Sequence, residues 1–514
     1  MSSAAGIPQF YAGRSVFITG ATGFMGKVLV ERLLWTCPDV QRLYLLMRTK
    51  KGSPPEKRLE QLKQSPVFDV LRRSAPQQLA KLHAIAGDVT RPRLGLSEDS
   101  MIELKDISIV FHSAATLKFD EALKVAVDQN VRSVIRLLEI CDELPKMEAL
   151  IHVSTAYSNA DRECVEERVY PSPVPVSELL QLADLAPPHL MAEITQRYIA
   201  PKPNTYTFTK AAAECAILEH KGRNYAKAIF RPSIVISSMR TPFPGWIENL
   251  NGPSGVAVAA GKGLLHVFTC WKTARADLMP VDIAIDTLIA VGWETAIDSR
   301  PEPRVYNCTS SGSATSWAAF ETSLRRCARS APMDHALWYP SGVIVEYVAR
   351  ALQVLLQTLP LYAAEYAKQL FGVKTQISLI VAEQRIRAMS DVLTFFTTHQ
   401  WRFDNGNVTA LQARLGEQDR RVYNLDVSSI DWDVMYETFF MGCKKYLLKE
   451  KEQDLEANVI KDLLKNHLGV KIPVCSRARR PGICLGHDVE FGRSGNYSGA
   501  TAIGPPTLLP KEPD

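Results

Sequence analysis

Three absences narrow the class of this chain. Among its 514 residues there is no run of about 20 apolar side chains, so no segment reads as a membrane-spanning helix. The nearest stretch, ALQVLLQTLPLYAA at 351–364, is shorter, contains Pro360 and is flanked by Arg350, Glu365 and Lys368. The 10 cysteines include no C-x-x-C pair, which excludes the common zinc-ribbon and thioredoxin-like spacings and points to reduced thiols in a reducing compartment. There is also no basic arm: a net charge of +5 on this length gives nucleic-acid binding no support. His112, His152, His266 and His399 show no metal-ligand pairing, so no metal site is expected. The N-terminus, MSSAAGIPQFYAGRSVFITG, has no apolar signal-peptide core, and the final EPD is no peroxisomal address.

What is present reads as globular. Hydrophobic residues make up 46% and charged residues 22%. The length predicts one large domain and a smaller one. In SVFITGATGFMGKVLVERLLW, residues 15–35, a short buried strand gives way to apolar positions at helical spacing from Phe24 onward. Gly20, Gly23 and Gly26 lie between them. A tight turn, a close approach of phosphates to bare backbone and close packing of helix on strand all ask for glycine there. The free N–H groups around Thr22, Phe24 and Met25 then face a pyrophosphate.

A second strand, RLYLLMR at 42–48, ends in Arg48, followed by Lys50 and Lys51. These cations favour the 2′-phosphate of NADPH over the ribose hydroxyl of NAD; a solvated basic loop is the plainer alternative. AIAGDVT, 84–90, reads as a strand ending at Asp88 and Val89, with Asp88 placed for an adenine amine or simply for a turn. SIVFHSAAT, 108–116, ends in Ala114 and Ala115, small enough to let a cofactor lie close. Helices at 130–144 and 206–220 alternate with strands at 149–157 and 225–236, which predicts an α/β fold with a Rossmann-type doubly wound parallel sheet.

NTYTFTK, 204–210, places Tyr206 and Lys210 four apart on one helix face. Alone it is an ordinary pattern. After an NADP-type glycine loop, and with Ser154 and Thr155 closing the preceding strand, it reads as a proton donor, a cation that lowers the phenol's pKa and a hydroxyl for a substrate oxygen.

TGATGFMGK, HVSTAY, YTFTKAAAE and FRPSIV resemble the extended short-chain dehydrogenase/reductases. With WIENLNGPSGV (246–256), FFTTHQWRFDNGNV (395–408) and the segment 424–450, the chain resembles the alcohol-forming fatty acyl-CoA reductases over about residues 10–470. The resemblance implies an NADPH-binding extended-reductase domain over 10–330 and a smaller, mainly helical C-terminal domain over 335–470. It implies Tyr206 as proton donor, Lys210 as ribose-binding and tuning group, and Thr155 or Ser154 as the third member. Asn130, opening a helix, is a structural or relay candidate. The implied reaction takes a long-chain acyl-CoA through an aldehyde to a fatty alcohol, with two hydrides and no cysteine nucleophile.

An acyl tail needs an apolar slot. The segment 339–382 is a candidate wall, with Leu352, Leu355, Leu356 and Leu359 as a helical stripe that is buried between domains or lies at a membrane surface. Lys262, Lys272 and Arg275 are candidates for the phosphates of CoA by sign of charge alone, with solvated surface the simpler reading. In the tail 471–514, glycine and proline supply 12 of 44 residues, which predicts disorder. Many members of the family carry a hydrophobic anchor there, so the expectation is peripheral contact with the cytosolic face of peroxisome, endoplasmic reticulum or lipid droplet.

Overall fold

The computed structural model describes residues 6–450, apart from 224, 314, 338–342, 346–349 and 373–377. The expected tail 471–514 lies outside the described residues, as do 451–470 of the second module.

Seven parallel strands form the central sheet: β1 Ser15–Thr19, β2 Arg42–Met47, β3 Leu82–Ala86, β4 Ile107–His112, β5 Ala149–Val153, β6 Ala226–Pro232 and β7 Arg304–Cys308. Their order is β7-β6-β5-β4-β1-β2-β3. The chain builds outward from β1 through β3, then returns to lay β4 on the other side of β1. This reversal opens a crevice at the carboxyl ends of β1 and β4, where doubly wound sheets bind ligands. β1, β4, β5 and β6 are buried along their whole length, which is why they read as continuous apolar runs and not as alternating ones.

The helices that matter for the site are α1 Phe24–Thr36, α2 Ser133–Glu143, α3 Thr205–Glu219, α4 Pro253–Gly261, α5 Val281–Asp298, α6 Trp317–Ser330, α7 Leu359–Leu370, α8 Leu379–Thr397 and α9 Trp432–Gly442. Two local readings change. The segment 225–236 is not one strand: Pro232 has no N–H to extend the ladder, so β6 ends there and Ile234–Ile236 pairs with Leu278–Pro280 in a separate two-stranded sheet. Asn130 does not open a helix. It sits within a π-helical turn, Asp128–Arg132, that runs directly into α2.

The helical C-terminal part is interlocked with the sheet. One apolar core includes Ile7, Ile18 and Leu288 together with Leu411, Phe439 and Cys443. Arg32 of α1 pairs with Asp286 of α5 at 2.6 Å and donates to the Val422 carbonyl, while Asn424 N donates to Asp286 at 2.9 Å. Arg402–Phe403 pairs in parallel with Cys164–Val165, and the Trp401 indole donates to Ala160 O at 3.0 Å. These contacts seat α8 beside the crevice. Among the described residues, no helix is long and apolar enough to cross a membrane.

Candidate active site

The glycine loop is built to be approached. Gly20 has φ +77°, and a Cβ there would lie 2.6 Å from the Ser113 carbonyl carbon at the end of β4; one on Gly26 would lie 2.2 Å from Gly20 O. Both positions must therefore be glycine for the turn to close and for α1 to sit against it. A Cβ on Gly23, the N-cap of α1, would meet only Gly20 O within 4 Å. Thr22, Gly23, Phe24 and Met25 line a cavity of about 1120 Å³, together with Ala114, Ala115, Val89 and Asp88. The loop thus presents bare backbone and a helix N-terminus to that space, which fits a dinucleotide pyrophosphate.

Beyond β2, Arg48 and Lys50 also line the cavity, whereas Lys51 does not. Arg58, from the helix Pro55–Lys63, joins them: it donates to Arg48 O at 2.5 Å and to Thr22 Oγ1 at 3.4 Å. Burial and the neighbouring Arg48 lower its pKa. Arg58 lies beyond the strand end that carries Arg48 and Lys50; its signal in the sequence is a cation in the first turn of the next helix. Asp88 takes the turn role, accepting from Thr90 N at 3.0 Å and Thr90 Oγ1 at 2.9 Å, and lies 3.6 Å from Arg48. Burial pushes its carboxyl up, but these partners outweigh it and the net shift is downward.

Across the crevice, Thr155 follows β5 and caps the short turn Ala156–Asn159. Its hydroxyl lies beside the phenol of Tyr206, with which it interacts, in the first turn of α3, where Asn204 caps the helix by accepting from Thr207 N at 2.9 Å. Burial raises the phenol above its ordinary pKa, and the interaction with Thr155 opposes this. Lys210, one turn on, donates to Val153 O at 2.7 Å. Burial lowers its ammonium to about 8, against the pull of Glu214. One ammonium proton of Lys210 is thus held by the β5 carbonyl, and the phenol's net shift, set by burial and Thr155, is upward.

Ser154, the alternative to Thr155, lines the same cavity, but its hydroxyl is held by a buried carboxylate. Its hydroxyl donates to Glu214 at 2.5 Å, as Ser158 does at 3.0 Å. Glu214 is paired with Arg231 through bonds of 2.9 and 2.6 Å, and both are buried. Asn130 is also fully engaged: it accepts from Thr116 N at 2.9 Å and donates to Thr209 Oγ1 at 2.9 Å, tying the β4 loop to α3.

The same cavity continues from Thr155 and Tyr206 into an apolar chamber walled by Val256, Leu265, Phe268, Ile386, Met389 and Leu393. This corrects the expected acyl wall. Of the described residues in 339–382, only Ala382 lines the cavity. A π-helical turn at Val354–Thr358 resets the helical phase, burying Gln357 and leaving Leu355, Leu356 and Leu359 in solvent with Leu352 half-buried. The charge-based candidates also fall away from the cavity wall. Lys262 donates to Asp334 O and Glu450, while Lys272 and Arg275 are exposed outside the cavity. Arg325 and Arg385 are the cations that line the chamber.

A dinucleotide crevice at the switch point of such a sheet, facing a tyrosine–lysine helix, defines the short-chain dehydrogenase/reductase class, and the chain is an NAD(P)-dependent oxidoreductase of that class. Comparison narrows the class. Two family profiles, both described as male sterility protein, match: an NAD-binding one over residues 18–288 and one named Sterile over 356–450. Fatty acyl-CoA reductase 1 of Xenopus laevis is 38% identical over 462 residues, 88% of each chain, and that of Rattus norvegicus is 36% identical over 458 residues with the same coverage. Fatty acyl-CoA reductase 2 of Homo sapiens is 34% identical over 448 residues, 86% of each chain. The chain belongs to the fatty acyl-CoA reductase family. Among solved structures, the reductase domain of a nonribosomal peptide synthetase from Mycobacterium tuberculosis shares the fold, with TM-score 0.57 and 18% identity over 87% of this chain and 94% of that one. So does the terminal R domain of the myxalamid pathway, with TM-score 0.53 and 17% identity over 84% and 90%.

Proposed function

We propose that the protein reduces long-chain fatty acyl-CoA to fatty alcohol with two NADPH, through an aldehyde, releasing CoA. One observation carries this reading: a single cavity runs from the glycine loop past the Thr155–Tyr206 pair into an apolar chamber. An acyl tail in that chamber would bring its thioester carbonyl to the two hydroxyls. Arg48, Lys50 and Arg58 supply cations suited to a 2′-phosphate.

When bound, the reduced dinucleotide supplies the hydride. Thr155 and Tyr206 stabilise the oxyanion that develops on the thioester oxygen. Collapse of the tetrahedral adduct expels CoA thiolate and leaves an aldehyde at the same two hydroxyls. In the second reduction Tyr206 gives its proton to the alkoxide. A phenol raised above its ordinary pKa is fully protonated at neutral pH, as a donor must be. No acyl-enzyme forms, so the buried thiols of Cys141 and Cys215 and the exposed Cys164 take no part. The site of work is the cytosolic face of a membrane or lipid droplet, of peroxisome or endoplasmic reticulum, held peripherally.

The test is purified protein with palmitoyl-CoA and NADPH, following thiol release and NADPH oxidation together. Two NADPH consumed per thiol released, and loss of both in Tyr206→Phe, are expected. Absence of thiol release removes the reading in favour of a reductase or epimerase of another substrate. Unchanged turnover in Tyr206→Phe removes Tyr206 as the donor.

A further inference from the structure

Large apolar side chains usually appear singly on a protein surface; contiguous patches mark contact sites. Leu355, Leu356, Leu359, Tyr366, Leu370 and Phe371 stand exposed along α7 and the turn before it, with Leu370 at 82% and Phe371 at 78%. Leu355, Leu359, Tyr366 and Leu370 are spaced by four, seven and four residues, so they share one helical face. The opposite side is fixed inward: Leu361 is fully buried, Thr358 donates to Glu383 at 2.8 Å, and Glu365 accepts from Leu379 N at 2.9 Å.

Those bonds seat α7 on α8, whose Ile386, Met389 and Leu393 wall the chamber. Gln357, buried beneath the exposed leucines, accepts from the backbone N–H of His266, another chamber residue, at 3.1 Å. The exposed face is thus separated from the acyl chamber by about the thickness of one helix. The nearby charge has a sign. Glu365 is paired with Lys368 and Glu383 is bonded and buried, whereas Arg350, just before the face, and Arg387 on α8 are exposed, the latter with Asp391; Arg385, two positions from Arg387, faces the other side of α8. Arg385 also lines the cavity.

We propose that α7 and its preceding turn form a docking face for a lipid surface bearing anionic headgroups. The helix lies in the plane of the interface with its leucines among the acyl chains and Arg350 and Arg387 at the headgroups. The role this gives the face, admitting acyl chains to the chamber from the lipid side, rests on the proposed acyl-CoA reductase reading. The docking itself rests on the face.

The experiment is flotation of the full chain with vesicles of phosphatidylcholine, with or without about one-third phosphatidylserine. It is run on the wild type and on a triple variant, Leu355→Glu, Leu359→Glu and Leu370→Glu. All three positions are exposed, and equal melting temperatures show that the fold is kept. The wild type floats, more with phosphatidylserine than without, and the variant floats about tenfold less or worse. Both turn over dodecanoyl-CoA, kept below its micellar concentration, at the same rate. The proposal is overturned if the wild type stays unbound to both vesicles, or if the variant floats like the wild type. It is also overturned if the substitutions only convert a dimer to a monomer in sedimentation, which assigns the face to a second copy. If neither protein releases thiol from any acyl-CoA, the reductase reading fails while the flotation result stands by itself.

Discussion

Ser154 and Glu214 are joined by a hydrogen bond of 2.5 Å, and the adjacent Thr155 interacts instead with Tyr206. Both residues line the cavity, but the Ser154 hydroxyl proton is committed to Glu214, so Thr155 is the hydroxyl expected to serve a substrate oxygen. Thr155→Val is expected to lower kcat about 100-fold, the usual cost of one lost oxyanion donor. Ser154→Ala is expected to keep kcat within a few-fold while losing about 1–3 kcal/mol of stability, because Glu214 is left short of a buried partner. Steady-state rates and denaturant unfolding on the two variants separate these effects. A larger rate loss in Ser154→Ala would reverse the assignment.

The Lys210 ammonium, lowered by burial to about 8 with Glu214 holding it up, sets the alkaline side of the pH profile. If the charged form is needed, kcat/KM falls as pH rises through about 8. Glu214→Gln removes the supporting carboxylate and moves that limb to lower pH. Stability runs the other way. Between about 8 and the lysine's ordinary value the unfolded chain holds the proton and the folded one does not, so this residue makes the protein more stable as pH rises through that window. Lys210→Met should flatten that part of the melting curve.

Arg48 and Arg58 meet at the carbonyl of the former, beside the glycine loop. Replacing either one with alanine is expected to raise KM for NADPH by about 10- to 100-fold, since a charge-assisted bond contributes about 1.5–3 kcal/mol. KM for NADH should change little. An equal rise for both dinucleotides would place the arginines on the shared pyrophosphate.

His112 and His152 stack at 5.3 Å between ring centres in β4 and β5, and neither nitrogen of His152 has a partner. Burial, then the charge of Lys210, lowers His112 to about 3; the same causes in the same order, then His112, lower His152 well below its ordinary value. Only the unfolded chain takes up these protons in mildly acid solution, so stability falls with pH by roughly 1 kcal/mol per imidazole between pH 6.5 and 5.5. His152→Leu should leave stability at pH 7 unchanged or about 1 kcal/mol higher, and should remove about half of the imidazole contribution to that acid loss. Chemical unfolding at the two pH values measures it.

The sheet was legible because each strand is a short apolar run bounded by a turn, and the crevice followed from the order of strands and helices. The glycine loop and the Tyr206–Lys210 helix face were legible because local spacing fixes their geometry. What escaped depends on long-range packing. That the Ser154 hydroxyl is already engaged depends on Glu214, some 60 residues away. The acyl wall was misread because apolar periodicity over 351–364 states that a face exists, not what covers it, and the π-turn at Val354–Thr358 redirects that face to solvent. The wall of the apolar chamber, α4 with α8, draws on an alanine- and glycine-rich helix with no stripe to notice: a Cβ on Gly255 would lie 2.7 Å from the Met389 sulfur, so the two helices approach closely.

That close approach gives the chamber a length that a single side chain can change. Ala260 is half-buried on α4 and lines the cavity beside Leu264 and Leu265, so a larger residue there grows into the chamber and not into the sheet core. Ala260→Phe is expected to exclude several methylenes of the tail. At about 0.8 kcal/mol for each buried methylene, losing two of them lowers kcat/KM for octadecanoyl-CoA by about tenfold or more, while dodecanoyl-CoA, whose tail stops short, keeps its rate. A product profile across acyl-CoAs of graded length reads the shift directly. An unchanged profile in a folded variant would mean that the tail lies elsewhere, and that the chamber between α4 and α8 does not measure chain length.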